Sequence, residues 1–271
     1  MENTKSYTLD DLLYLMARLR APEGCPWDLQ QSFNTIVPHT LEEVYEVIDT
    51  IEREDWNHLQ DELGDLLFQV IFYARLAEEN QLFNFHEIIH QLVAKLVRRH
   101  PHVFPDGQLY AVNDADLEVT QVNQQWEKIK EQERVERDRL SAMDEIPIAL
   151  PALNRAVKLQ KRAANLGFDW PEISGVLDKI EEEIAELREA IALGQRQSIQ
   201  DEVGDLIFAQ VNLCRHLKVD PEQALRGTNR KFERRFRQVE QQVFAGRGRF
   251  EDYRLDELDQ FWELAKKGEV Q

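Results

Sequence analysis

Glu42-Glu43-Val44-Tyr45-Glu46, followed by Glu62-Leu63-Gly64-Asp65, recurs in the chain as Glu182-Glu183-Ile184-Ala185-Glu186 and Glu202-Val203-Gly204-Asp205. Five acids therefore repeat at one constant offset of 140 residues. Residues three or four apart share a helix face, so the spacing predicts Glu43 beside Glu46 and Glu62 beside Asp65. The second copy pairs Glu183 with Glu186 and Glu202 with Asp205 in the same way. Packing each pair of helices antiparallel is expected to gather four carboxylates in one small volume. Like charges that close repel, and partial burial strengthens the repulsion. A divalent cation relieves it, and all-oxygen ligands select a hard ion, Mg²⁺ first and Mn²⁺ as a substitute. One acidic pair alone is usually a solvated helix face. Five chosen positions would all be acidic by chance about once in four thousand trials in a chain this acidic, so duplication of a carboxylate site is the better account.

The chain has 271 residues, 42% of them hydrophobic, which allows two domains with a core each. The expected division is an N-terminal helical domain over 1–137, a linker over 138–151 marked by Ser141, Pro147 and Pro151, and a C-terminal helical domain over 152–271. The formal net charge is −18, which argues against a nucleic acid polymer or an anionic membrane surface as partner. A small phosphorylated ligand is compatible with this charge if a metal and local cations receive it. Cys25 and Cys214 are the only cysteines and build neither a disulfide framework nor a cysteine zinc site. Residues 1–20 read as an amphipathic helix rather than a signal peptide, and no apolar run reaches membrane-spanning length, so a cytoplasmic location is expected.

Periodicity predicts helices over about 8–20, 40–53, 61–79, 86–99 and 114–137, then 152–165, 175–193, 198–218, 221–244 and 255–267. Thr8 reads as the first N-cap, and Thr40 with Glu43 fits a capping box. Leu63, Leu66, Leu67, Val70, Ile71 and Ala74 make the 61–79 segment apolar around much of its girth, so it is expected inside a core with Glu62 and Asp65 at the bundle edge. No segment alternates as a strand does, and the fold class is all-α, two tandem helical bundles.

Each half also carries a basic cluster, Lys95, Arg98 and Arg99 in the first and Lys231, Arg234 and Arg235 in the second, offset by 136 residues. Such a face suits polyphosphate oxygens. At the same offset Trp126, Glu127 and Lys130 match Trp262, Glu263 and Lys266; either tryptophan can stack on a base or dock its helix. His86-Glu87-Ile88-Ile89-His90 matches the HExxH zinc motif. The further positions that an extended HExxHxxGxxH pattern would use hold Val93 and Leu96, and the second half lacks the motif, so the protease reading is set aside. Neither GxxxxGK[ST] nor GxGxxG occurs, and phosphates are expected to be held by metal and cationic side chains.

Together these segments resemble the MazG-type, all-α nucleoside triphosphate pyrophosphohydrolases, and the two-copy layout is similar to the two-domain members. The resemblance extends to Gly24-Cys25-Pro26-Trp27-Asp28, Arg98-Arg99-His100-Pro101-His102-Val103-Phe104, Gly167-Phe168-Asp169-Trp170 and Lys231-Phe232-Glu233-Arg234-Arg235. It implies Mg²⁺-dependent hydrolysis of ribo- and deoxyribonucleoside triphosphates to monophosphate and pyrophosphate, in housecleaning or regulation of nucleotide pools, by a homodimer. Carried onto this chain, it makes Glu183, Glu186, Glu202 and Asp205 metal ligands, with Glu43, Glu46, Glu62 and Asp65 doing the same in the first half. Lys179, Lys231, Arg234 and Arg235 hold the triphosphate, with Lys95 and Arg98 as first-half counterparts, and Trp262 borders the nucleotide. Glu182 or a ligand carboxylate serves as general base. His39 stands where the second half has Lys179, and Val93-Ala94-Lys95 stands where it has Asn229-Arg230-Lys231, so the C-terminal site is expected to be the main catalyst. A metal-dependent nucleotide or alarmone binder without turnover, and a helical scaffold that binds Mg²⁺ for stability alone, are the competing readings.

Overall fold

A computed structural model describes residues 6–111, 118, 120–122, 125, 126, 129, 132, 133, 141–144 and 146–268. The chain divides into two compact units, 1–133 and 134–271. The helices are α1 (Leu9–Leu19), α2 (Pro26–Gln30), α3 (Phe33–Glu52), α4 (Trp56–Glu79) and α5 (Phe85–Arg99) in the first unit. In the second they are α6 (Ala152–Asn165), α7 (Ile173–Leu193), α8 (Arg196–His216), α9 (Pro221–Ala245) and α10 (Leu255–Lys267). The described residues contain no strand, as expected for an all-α chain. Most of the helix expected over 114–137 lies outside the described residues, as do parts of the expected linker; those described between 120 and 133 are helical, Glu118 is not, and Glu127 and Lys130 are not described.

Each unit is built on one helical hairpin, α3 against α4 and α7 against α8. The first is antiparallel by contact: Thr40 Oγ1 lies 3.0 Å from the Tyr73 hydroxyl, while Glu43, further along α3, meets Gln69, earlier on α4. The linking turns fall at matching positions and both need a left-handed residue. Gly194 supplies it at φ 66°, where glycine pays no steric cost. Glu54 adopts φ 57° at the equivalent place, a conformation that costs a side-chain-bearing residue about 1 kcal/mol. Glu54→Gly is therefore expected to stabilise the first unit by several tenths of a kcal/mol, up to about 1, measurable as a raised urea midpoint. An unchanged or lowered midpoint would show that the turn is not strained.

Two elements differ from the sequence expectation. The helix assigned to begin at Thr40 begins at Phe33, where Ser32 and Thr35 form the capping box. Pro38 lies inside it, in the second turn, where proline has no N–H to donate to the carbonyl four residues back. Thr40 instead donates its hydroxyl to the Ile36 carbonyl. Helix α4 likewise starts earlier, at Trp56 behind the Asp55 N-cap. The second correction concerns its burial. Ile71 and Ala74 are buried with Met16, Ile36, Phe72 and Leu76, but Leu63, Leu67 and Val70 are exposed. α1, α3 and α5 cover less of α4 than its apolar girth. The same holds on α8 for Val203 and Ile207.

α1 is fastened to this hairpin by Arg20 at its C-cap. The guanidinium donates to Glu79 from Nη2 at 2.7 Å and from Nε at 3.1 Å, donates to the Asp28 carbonyl, and lies 5.2 Å from the Phe72 ring centroid. Three separate segments meet at this one side chain.

Candidate active site

The hairpins bring the repeated acids together as triads. Glu43, Glu46 and Glu62 each offer a carboxylate oxygen within 4.8 Å of the other two, and Glu183, Glu186 and Glu202 repeat the arrangement. Asp65 and Asp205 stand outside these triads but beside them. The Asp65 charge is one of those that push the Glu43 and Glu62 carboxyls up, and Asp205 does the same to Glu202. In all three glutamates burial is the larger cause and the neighbouring carboxylates add to it. Oxygens around an octahedral Mg²⁺ at about 2.1 Å stand roughly 3–4 Å apart, so small side-chain rotations would close each triad on such an ion. Glu183 is 5% exposed, and its Oε2 is buried with no hydrogen-bond partner. A buried carboxylate oxygen left without a donor is costly, which makes the second triad a fitting cage for a cation.

Lys179 governs the other oxygens. Its ammonium lies 2.8 Å from Glu183 Oε1 and 2.9 Å from Glu182 Oε1, and these two carboxylates hold its pKa well above the ordinary lysine value. In the first unit the weaker pair His39–Glu42, at 3.8 Å, takes this place. A tryptophan stands by each: Trp27 is edge-on to His39 at 5.7 Å, and Trp170 lines a cavity with Lys179. That cavity, of about 360 Å³, is also lined by Val176, Glu183, Asp205, Phe208, Ala209 and Asn212.

The basic clusters are placed differently from the acids. Arg98 Nη2 and Arg99 Nη2 bind Glu133 at 2.7 and 2.5 Å. Hydrogen bonding from Arg99 first, then from Arg98, holds the Glu133 carboxyl at about 2 despite its burial. In the first unit these arginines thus hold Glu133. In the second, α9 carries Lys231, Arg234 and Arg235, and the Arg235 guanidinium lies 5.9 Å from the Trp262 ring centroid, beside Phe232 at 5.2 Å. No α9 residue lines the cavity beside Glu183. Lys95 is exposed on α5. His86 and His90 are exposed and join no ligand triad among the described residues, while the intervening Glu87 closes the Asn84 capping box. A helix start accounts for the zinc-like motif.

Sequence reasoning overlooked Trp170, Ala209 and Asn212 as parts of the site. The signal was available for two of them: at the 140-residue offset Ala209 replaces Gln69 and Asn212 replaces Phe72.

Comparisons with known proteins agree with this architecture. The MazG nucleotide pyrophosphohydrolase domain matches residues 31–104 and 173–240, which are the two hairpins with the basic segment after each. The chain is 48% identical to the nucleoside triphosphate pyrophosphohydrolase of Escherichia coli (strain K12) over 97% of its own length and 98% of that protein. It is 40% identical to the nucleoside triphosphate pyrophosphohydrolase/pyrophosphatase MazG of Thermotoga maritima, over 96% of each. It also matches 51% of YabN of Bacillus subtilis at 38% identity over 94% of this chain. With both hairpins, both acid triads and nearly the whole length matched, this chain belongs to the MazG nucleotide pyrophosphohydrolase family.

Proposed function

We propose that the protein hydrolyses nucleoside triphosphates, ribo and deoxyribo, between the α- and β-phosphates, and that it requires Mg²⁺. Water adds to the α-phosphorus, the bridging oxygen leaves with the β- and γ-phosphates, and the products are a nucleoside monophosphate and pyrophosphate. The observation that carries this reading is the pair of carboxylate triads, one of them with a buried, partnerless Glu183 Oε2, in a chain nearly half identical to named pyrophosphohydrolases. Glu183, Glu186 and Glu202, with Asp205 bordering, would hold the ion, and Glu43, Glu46, Glu62 and Asp65 would do so in the first unit. Bound there, Mg²⁺ supplies charge neutralisation at the phosphate oxygens and a lowered pKa for the attacking water.

The remaining work falls to side chains. Lys179, already between Glu182 and Glu183, holds the α-phosphate end of the chain. Lys231, Arg234 and Arg235 receive the departing pyrophosphate, to which guanidinium groups offer paired donors. Trp262, packed among Phe232 and Arg235, borders the nucleotide. Glu182 lies next to the triad but is not one of its members and is the candidate to accept the proton of water. A positioned base contributes about 10² to 10⁴ in rate, so Glu182→Gln should lower kcat by about a hundredfold while Mg²⁺ affinity, read by calorimetry, changes little. An equal loss of metal affinity would reassign Glu182 as a ligand.

The exposed apolar faces of α4 and α8 favour a homodimer, because such faces are covered in stable assemblies. No helix among the described residues is long and apolar enough to cross a membrane. The proposed action is on a cytoplasmic nucleotide pool, in housecleaning or regulation. The test is product analysis after incubation with Mg²⁺ and a panel of nucleoside triphosphates. Monophosphate plus pyrophosphate supports the reading; diphosphate plus orthophosphate identifies the wrong bond and overturns it.

A further inference from the structure

The lining of the cavity beside Glu183 is of two chemical kinds: the charged Glu183, Asp205 and Lys179, and the aromatic, apolar or amide side chains of Trp170, Phe208, Val176, Ala209 and Asn212. Trp170 is 41% exposed and Phe208 44%, so both present ring surface where a ligand can reach it. The cavity volume of about 360 Å³ lies in the range of small-molecule sites, which combine apolar and aromatic walls with a few placed polar groups. Gly175 makes the tryptophan's position possible: a Cβ there would fall 2.4 Å from Trp170 Cδ1.

Asn212 is the uncharged polar group of the lining. It is 5% exposed, and its Oδ1 accepts a hydrogen bond from Arg215 Nε at 2.9 Å. Arg215 is itself ion-paired with Asp169, which also binds His216 at 3.0 Å. Arginine donates only, so this contact settles which way the amide faces. With its oxygen turned to Arg215, Asn212 has its Nδ2 donor to offer a ligand.

The first unit contains the same hairpin with the same acids but larger side chains at two of these positions. Where the second unit has Ala209 and Asn212, it has Gln69 and Phe72. Phe72 is 1% exposed and belongs to the core with Met16, Ile36 and Ile71, and buried Gln69 reaches 3.5 Å to Glu43. Two side-chain exchanges thus fill in one unit the space that is open in the other.

We infer that the Trp170–Phe208–Ala209–Asn212 recess receives the nucleobase of the substrate, stacking it on aromatic rings and donating from Asn212 to an acceptor on its edge, and that the first unit has no counterpart. Stacking suits this role because every base has a π-face, whereas the fixed donor discriminates among base edges. The inference rests on the reaction proposed above and adds to it where the substrate is selected.

The test uses the full chain with Mg²⁺ and compares nucleoside triphosphates with inorganic tripolyphosphate, a phosphate chain without a base, as a competitive inhibitor. Trp170→Ala and Ala209→Gln should each raise KM for nucleoside triphosphates by about tenfold or more, while the inhibition constant of tripolyphosphate stays within about twofold. Asn212→Leu should narrow the differences in KM among the bases. Glutamine at 209 could disturb packing of α7 on α8, so Trp170→Ala, at a half-exposed position, keeps the test open if that variant fails to fold. Equal losses for nucleotide and tripolyphosphate, or no change in either, would overturn the recess. Failure of the wild-type protein to release pyrophosphate from any nucleotide would instead sink the reaction on which it rests.

Discussion

Glu183→Ala should abolish pyrophosphate release, with kcat/KM reduced about a thousandfold or more. Glu183 is the most enclosed acid of its triad, 5% exposed with one oxygen salt-bridged to Lys179 and the other without a partner. Removing it deletes a proposed ligand and releases Lys179 from its strongest contact. Loss of several kcal/mol of transition-state stabilisation corresponds to a factor of that size. Glu43→Ala removes the same position from the first unit and should cost no more than about tenfold. There His39 replaces Lys179, and Gln69 and Phe72 fill the space that the second unit leaves open. Parallel assays of the two variants decide the matter. Turnover surviving Glu183→Ala and lost in Glu43→Ala would mean that the units have been assigned in reverse.

The second large effect is on stability. Arg20→Met should destabilise the first unit by about 3 kcal/mol, because it removes the buried partner of a largely buried ion pair, and with it the donor to the Asp28 carbonyl, leaving Glu79 to Arg75. Arg20 is 9% exposed, and Glu79, with 28% of its side chain exposed, retains enough solvent to keep the cost from being larger. Arg75 also binds Glu79, at 2.9 Å. Burial pushes the Glu79 carboxyl up, but the hydrogen bonds and charges of Arg20 and Arg75 outweigh it and leave the pKa below its ordinary 4.5. A carboxyl depressed in the folded state contributes stability that is fully present above its unfolded pKa and is lost as pH falls through the folded value. Wild-type stability should therefore decline below about pH 4.5, and Arg20→Met should flatten that part of the profile. Urea titrations from pH 3 to 7 read both effects. A variant that shares the wild-type acid slope would show that the pair does not control it.

Much of the fold was legible because its signals are local. Helical periodicity and the 140-residue repeat depend only on spacing along the chain, and from α6 onward the expected helices agree with the structure to within about two residues. The start of α3 differs because the Thr40–Glu43 pair also fits a capping box by spacing, whereas the residues that cap the helix lie further back, at Ser32 and Thr35. The candidate site divides along the same line. That Glu43 and Glu46 share a face, and Glu183 and Glu186 likewise, follows from helix geometry alone. That each triad is completed by Glu62 or Glu202, with Asp65 and Asp205 standing beside rather than within it, depends on the register of one helix against another.

By itself, then, the sequence determined an all-α chain of two repeated units, each with an acidic helix pair suited to a hard cation. Those properties are set by residue type and by intervals of a few residues. The tertiary structure alone decided that Arg98 and Arg99 grip Glu133, that Leu63 and Leu67 remain uncovered on α4, and that a recess opens beside one triad. Each depends on which side chains from distant segments meet and what volume they leave between them. A change from phenylalanine to asparagine at one helical position is invisible as a change of fold, yet beside Glu183 it exchanges a filled core for a polar cavity wall.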